Sequence, residues 1–272
     1  MKRIIYLPLI FSLLISCKSK DAQDNGSGNR LNESPDLIQQ FKPVIGGVWV
    51  KKNYIKKLVK SKSPLAAAER VMGITTFYID TAKLTADSII VPVSWNNHKG
   101  NNVALKFQPG KNTTTIMLGD DELSYSIKRN DTTLIIYHYD DATKETSTAK
   151  YIKVLNSQPA GDFNYGMNYM INKGLMAGRY DATDNTGKTY NVIFTEDGKV
   201  SGLPGLSTYF VQNDMTGPKQ EVDVILFNRG TTNPIAYAFE KTKKTLNLYQ
   251  TTAKPDSTLT MGNVVYKLIK RK

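Results

Sequence analysis

Hydrophobic and polar positions change their period several times along this chain. Residues 4–15 form an apolar run broken only by Pro8 and Ser12, with Lys2 and Arg3 before it and Ser16-Cys17 after it. A run of about a dozen residues is too short to span a bilayer stably. It matches the charged and apolar regions of a secretory signal. Residues 18–32 are polar and rich in Gly, Ser, Asn and Asp, so they bury too little apolar surface to order themselves and read as a flexible tether. Gly46-Gly47-Val48-Trp49-Val50 opens the first folded part. A helix follows over 51–62, with Tyr54, Ile55, Leu58 and Val59 on one face and Lys52, Lys56 and Lys60 recurring every four residues. Ser63-Pro64 predicts a second short helix, with a capping hydroxyl and a proline at its first position, and Gly73 ends it.

Beyond Gly73 the period becomes two. Strands are predicted at 75–79, 88–94, 103–107, 114–118, 122–128, 133–139 and 148–155, separated by turn residues such as Asn96-Asn97-His98-Lys99-Gly100 and Asn130-Asp131. Residues 158–177, with Pro159, Gly161 and Gly166, read as a linker. A second alternating stretch predicts strands at 178–183, 189–195, 199–201, 207–212, 221–227, 235–240, 245–250 and 264–270, with Gly198 supplying a tight hairpin turn. The two stretches read as copies of one unit. Gly47-Val48-Trp49 answers Gly178-Arg179-Tyr180, Thr133-Leu134-Ile135-Ile136-Tyr137 answers Thr245-Leu246-Asn247-Leu248-Tyr249, and Tyr151-Ile152-Lys153-Val154 answers Tyr266-Lys267-Leu268-Ile269. About eight strands per copy joined by short hairpins make an up-and-down meander, and closure into a barrel removes the exposed edges. The expected architecture is all-β: two consecutive antiparallel β-barrels with a short helical insertion in the first. The boundaries are a signal peptide at 1–16, a tether at 17–39, barrels at 40–157 and 178–272, and a linker at 158–177.

Composition adds three constraints. The single cysteine, Cys17, leaves no intramolecular disulfide, so packed cores must supply the stability. A net charge of +12 favours anionic lipid or acidic polysaccharide as a partner; a soluble, lysine-rich surface is the plainer alternative. Nucleic acid is not expected for a secreted chain that carries no recognisable binding motif. Catalytic candidates are scarce. His98 and His138 are the two histidines, no metal-ligand spacing occurs, and no Gly-x-Ser-x-Gly elbow is present. Asp120-Asp121-Glu122 and Asp140-Asp141 fall at predicted turns, where aspartate is expected for backbone reasons. No catalytic residue, metal or cofactor is therefore assigned.

Three side chains are candidates for contact with a ligand. His138 shares a strand face with Leu134 and Ile136, which points it into one end of the first barrel, as Gln250 would point in the second. It reads either as a hydrogen-bonded core histidine or as a ligand contact. Trp49 reads as the closure of a barrel floor or as part of the ligand site. Leu58 belongs to the basic helix, expected as a lid over the open end of the first barrel with any cavity beneath it; the alternative lays that helix on anionic lipid. His98, in an Asn/Gly-rich turn, reads as solvated.

Two motifs carry a resemblance to known families. Leu14-Ile15-Ser16-Cys17 resembles the bacterial lipobox, which implies cleavage before Cys17 and attachment of palmitate-type acyl chains to it. Gly47-Val48-Trp49 resembles the opening of lipocalins, with Gly178-Arg179-Tyr180 a second version. With its tether and paired β units, the chain resembles the uncharacterised lipocalin-like lipoproteins of Bacteroidota, a family with no established activity. The resemblance implies a lipid-anchored protein of the outer membrane, facing the periplasm or the cell surface. The function expected is that of a non-catalytic, lipocalin-like module binding a small apolar ligand. The alternative is a structural or protein–protein interaction lipoprotein of the envelope with filled barrels.

Overall fold

The computed structural model describes residues 34–216 and 220–271. The expected signal peptide, Cys17 and most of the expected tether lie outside the described residues. The first barrel consists of β1 (Gly47–Lys51), β2 (Ile74–Ile79), β3 (Ser88–Trp95), β4 (Lys99–Pro109), β5 (Ile116–Leu118), β6 (Asp121–Lys128), β7 (Asp131–Asp140) and β8 (Glu145–Leu155). Each pairs antiparallel with the next, and β8 returns to β1, so the meander closes. Alternation fills its interior: Trp49, Phe77, Val91, Leu105, Phe107, Leu123 and Leu134 point inward and are fully buried. The end where β1 starts is the floor, and the end where β1 finishes at Lys51 is the mouth.

The floor is plugged by a helix that the hydrophobic pattern did not predict. This is α1 (Ser34–Ile45), which begins inside the stretch read as tether and contains Pro43. Leu37, Phe41 and Ile45 join the first core. Phe41 meets Tyr125 edge-to-face at 5.2 Å. Trp49 Nε1 donates to the Ile45 carbonyl at 2.7 Å, which satisfies its one polar atom where no water reaches.

The second sheet contains β9 (Gly178–Asp184), β10 (Thr189–Phe194), β11 (Val200–Ser201), β12 (Tyr209–Val211), β13 (Val224–Phe227), β14 (Ile235–Lys241), β15 (Thr245–Ala253) and β16 (Leu259–Lys270). β16 pairs with β9, and the remaining gap between β11 and β12 is crossed by a bridge between Lys199 and Thr208. The result is a nearly closed second barrel. It repeats the floor of the first: Tyr180 Oη donates to the Met176 carbonyl at 2.6 Å, four residues back, as Trp49 does. The strand pairs also correct the repeat register. Leu134 faces Tyr151 and Leu246 faces Leu268, so Tyr151 answers Leu268 and not Tyr266. A slip of two residues keeps every side chain on its own face, and alternation alone cannot detect it.

The stretch read as a linker holds a second unpredicted helix, α3 (Tyr165–Leu175). Met167, Ile171 and Leu175 enter the second core. On the opposite side Gly166 lies so close to Val48, against the outside of the first barrel, that a Cβ there would overlap Val48 Cγ1; Gly174 makes a similar approach to Val59. The inserted helix α2 (Lys52–Ser61) matches the prediction in extent, and the 3₁₀ turn Leu65–Arg70 takes the place of the second short helix. Ser63 Oγ accepts from Ala66 N at 2.9 Å, as the capping pattern required.

The position of α2 differs from the expected lid. Tyr54, Ile55 and Leu58 are buried in the second barrel's core, together with Ala67 and Val71. The chain leaves β1 at the mouth but turns away from it, and the apolar face of α2 is covered instead by α3 and the second barrel. The helix is thus a clamp between the barrels. Polar contacts continue the seam: Leu65 N donates to Asp223 Oδ1 at 2.9 Å, and Asn97 Nδ2 donates to the Asn213 carbonyl at 3.3 Å. His98, expected as solvated, bonds through Nδ1 to Asp214 Oδ2 at 2.5 Å. Ser34–Lys272 accordingly forms one unit.

Candidate functional site

The mouth of the first barrel holds a cleft of about 330 Å3. Its depth follows the pairing of β7 with β8. Leu134 opposite Tyr151 lies deepest, Ile136 opposite Ala149 comes next, and His138 opposite Ser147 forms the rim. Ile74, Ile136, Ala149 and Tyr151 make the apolar wall. Met72 and Trp95 stand at the edge with 66% and 36% of their surface exposed.

Three polar groups in the cleft are held in place by hydrogen bonds. Tyr151 Oη donates to the Ile74 carbonyl at 2.9 Å, and its ring packs edge-on against Phe77. Burial, with a smaller contribution from the Asp121 charge, pushes its phenol far above the usual range, so it stays a neutral donor. Lys51, the last residue of β1, donates to the Met72 carbonyl, and burial lowers its ammonium. His138 Nδ1 meets Asp121 Oδ1 at 2.7 Å. That hydrogen bond, then the Asp121 charge, raises the imidazole above its ordinary value, although 62% of the side chain is exposed.

Of the three candidate ligand contacts, His138 alone lines this cleft. Trp49 is sealed at the floor, and Leu58 lies in the second barrel's core. His138 points along the inward face as expected, but at an open rim and not within the core. Lys51, Asp121 and Trp95 were missed as site residues. The signal for the first two was present: alternation puts Lys51 on the inward face of Trp49 and Asp121 on that of Leu123.

Ser147 sits across the strand pair from His138, and Asp121 orients the ring, so acid, imidazole and hydroxyl share one rim. A nucleophile must be bonded to its base. Among the described residues, the imidazole's hydrogen-bond partner is Asp121, and Ser147 is not joined to it. Nor, among those residues, do three His, Cys, Asp or Glu side chains gather as metal ligands would. The cleft thus sets an apolar wall beside a half-buried cation and a protonatable rim. No protein-family model, curated protein or solved structure matches this chain.

Proposed function

We propose that this chain is a lipid-anchored envelope lipoprotein that binds a small ligand, without converting it, at the mouth of its first barrel. The observation that carries this reading is the cleft between Lys51, Ile136, His138 and Tyr151, where inward-facing side chains from several strands set polar groups against an apolar wall. Its volume suits the lower end of small-molecule sites, which combine apolar walls with a few fixed polar groups. The filled interior beneath confines the ligand to the mouth. An apolar body would lie against Ile74, Ile136, Met72 and Trp95, with a polar end toward Lys51 or His138. The lipobox-like Leu14-Ile15-Ser16-Cys17 supports the anchor, since two or more acyl chains hold a protein stably where one is marginal. Cys17→Ser should release the protein from membranes and leave the barrels folded; full retention at high salt would refute the anchor.

Native mass spectrometry of the protein purified from its own envelope tests the ligand. Wild type should retain a small molecule that Ala149→Trp, which fills the cleft, does not. Equal retention by both would move the site elsewhere. One observation favours the alternative of an interaction lipoprotein with filled barrels. Tyr190, Tyr266, Tyr237 and Phe227 run through the second barrel with successive ring centres 6.3, 6.3 and 5.8 Å apart. Wild type that retains nothing would favour that reading.

A further inference from the structure

Two lysines converge on Tyr180 at the floor of the second barrel, and the charge of a third, Lys62, reaches one of them. Tyr237 and Phe239 on β14, and Tyr266 and Leu268 on β16, face the core. Alternation therefore turns Lys241 and Lys270, the next residues on those faces, toward the barrel axis. Lys241 Nζ donates to Tyr180 Oη at 3.2 Å and lies 4.9 Å from the ring centre. Lys270 Nζ donates to the Ala177 carbonyl at 2.7 Å and lies 5.9 Å from the same ring. Lys62, the left-handed residue that ends α2, is close enough for its charge to act on Lys241. Burial, then Lys270, then Lys62, lowers the Lys241 ammonium to about 8. The acids nearest in sequence are already engaged: Glu240 accepts from Tyr249 Oη at 2.6 Å, and Asp181 accepts from Arg271 Nε at 2.9 Å. Among the described residues none of the three lysines makes an ion pair.

The first barrel shows the same floor without this cluster. Tyr125 opposite Leu134 stands where Lys241 stands opposite Leu246, and it packs on Phe41. Lys153 opposite Trp49 answers Lys270 opposite Tyr180. The second repeat has exchanged an aromatic for a lysine at the end where α2 brings another. Like charges drawn together and partly desolvated are unfavourable unless a counter-charge joins them.

We propose that this floor is an oxyanion site that takes a phosphate group between Lys62, Lys241 and Lys270, tying α2 to the second barrel. Each ammonium has three donors. Lys241 and Lys270 use one each within the protein, which leaves donors for charge-assisted bonds to phosphate oxygens. Free phosphate and a phosphorylated lipid headgroup share this chemistry.

The test is thermal unfolding of the full chain in inorganic phosphate against chloride at matched ionic strength. Phosphate at about ten times its dissociation constant should raise the midpoint by roughly 3–6 °C. Lys241→Met should abolish that rise. So should Lys62→Gln, which lies outside the strands and leaves their pairing intact. Sedimentation of the Cys17→Ser chain with phosphatidic acid or phosphatidylcholine vesicles separates the two sources. Lys241-dependent binding to phosphatidic acid, competed by phosphate, identifies a headgroup; a thermal shift without vesicle binding identifies free phosphate. No phosphate-specific shift in wild type, or the same shift in both variants, overturns the proposal.

Discussion

His138 and Asp121 make the rim of the cleft a titrating surface. Because the folded-state value of the imidazole is raised, the pair's contribution is complete below the unfolded value and is lost as pH rises through the folded one. Exposure screens that contribution, so the consequence falls on the charge of the cleft more than on stability. An NMR titration should place His138 above the 6.5 of a free imidazole, and Asp121→Asn should bring it back. An unchanged titration in the variant would mean that the pair does not form in solution. An acidic ligand would bind less tightly as pH rises through this transition. The residues that surround His138 were partly legible in the sequence. Lys51 and Asp121 lie on inward faces that alternation marks, yet nothing in the pattern says that α1 plugs the opposite end and leaves this mouth open.

Among the elements, α2 is read from the sequence in extent and misplaced in space. Its amphipathic pattern requires that Tyr54, Ile55 and Leu58 be covered, but periodicity does not name the cover. Leu58→Ala should cost about 2–5 kcal/mol, as for other large-to-small core changes. Hydrogen exchange should report the loss in β10 and β13 of the second barrel and, because the two barrels unfold together, in β3 and β4 of the first as well. Loss of protection confined to the first barrel would contradict the clamp. The α3 helix makes the complementary point. Its glycines made it look like a linker, whereas Gly166 is the position at which a helix can approach Val48 most closely. Gly166→Val should destabilise by about 1–3 kcal/mol through overpacking, measured by urea unfolding.

In the molecule taken together, each repeat encloses a core of its own, but the second core reaches across to the first barrel. The second cluster takes in Val50 of β1, the α2 face, α3 and the interior of the second barrel. We expect one cooperative unfolding transition, with equal calorimetric and van't Hoff enthalpies. Limited proteolysis should spare residues 165–175. Two separable transitions, or early cleavage within α3, would show that the barrels are held together only weakly.

Readable in the sequence were fifteen of the strands, each end to within five residues, the α2 helix and the pairing of two similar units. These follow from local periodicity: an alternating segment must put one face against a core, and turn residues mark where it reverses. Tertiary structure alone decided the rest. It made plugs of α1 and α3, which proline and glycine had disguised. It turned α2 from a lid into a clamp, and it set the two-residue offset between β8 and β16. It also left Lys51, Asp121 and His138 at an open mouth and brought Lys241 and Lys270 together on Tyr180. The physical reason is common to all of them. Burial requires only that an apolar face find some partner, and the choice among partners depends on shapes and distances that exist only once the barrels have closed.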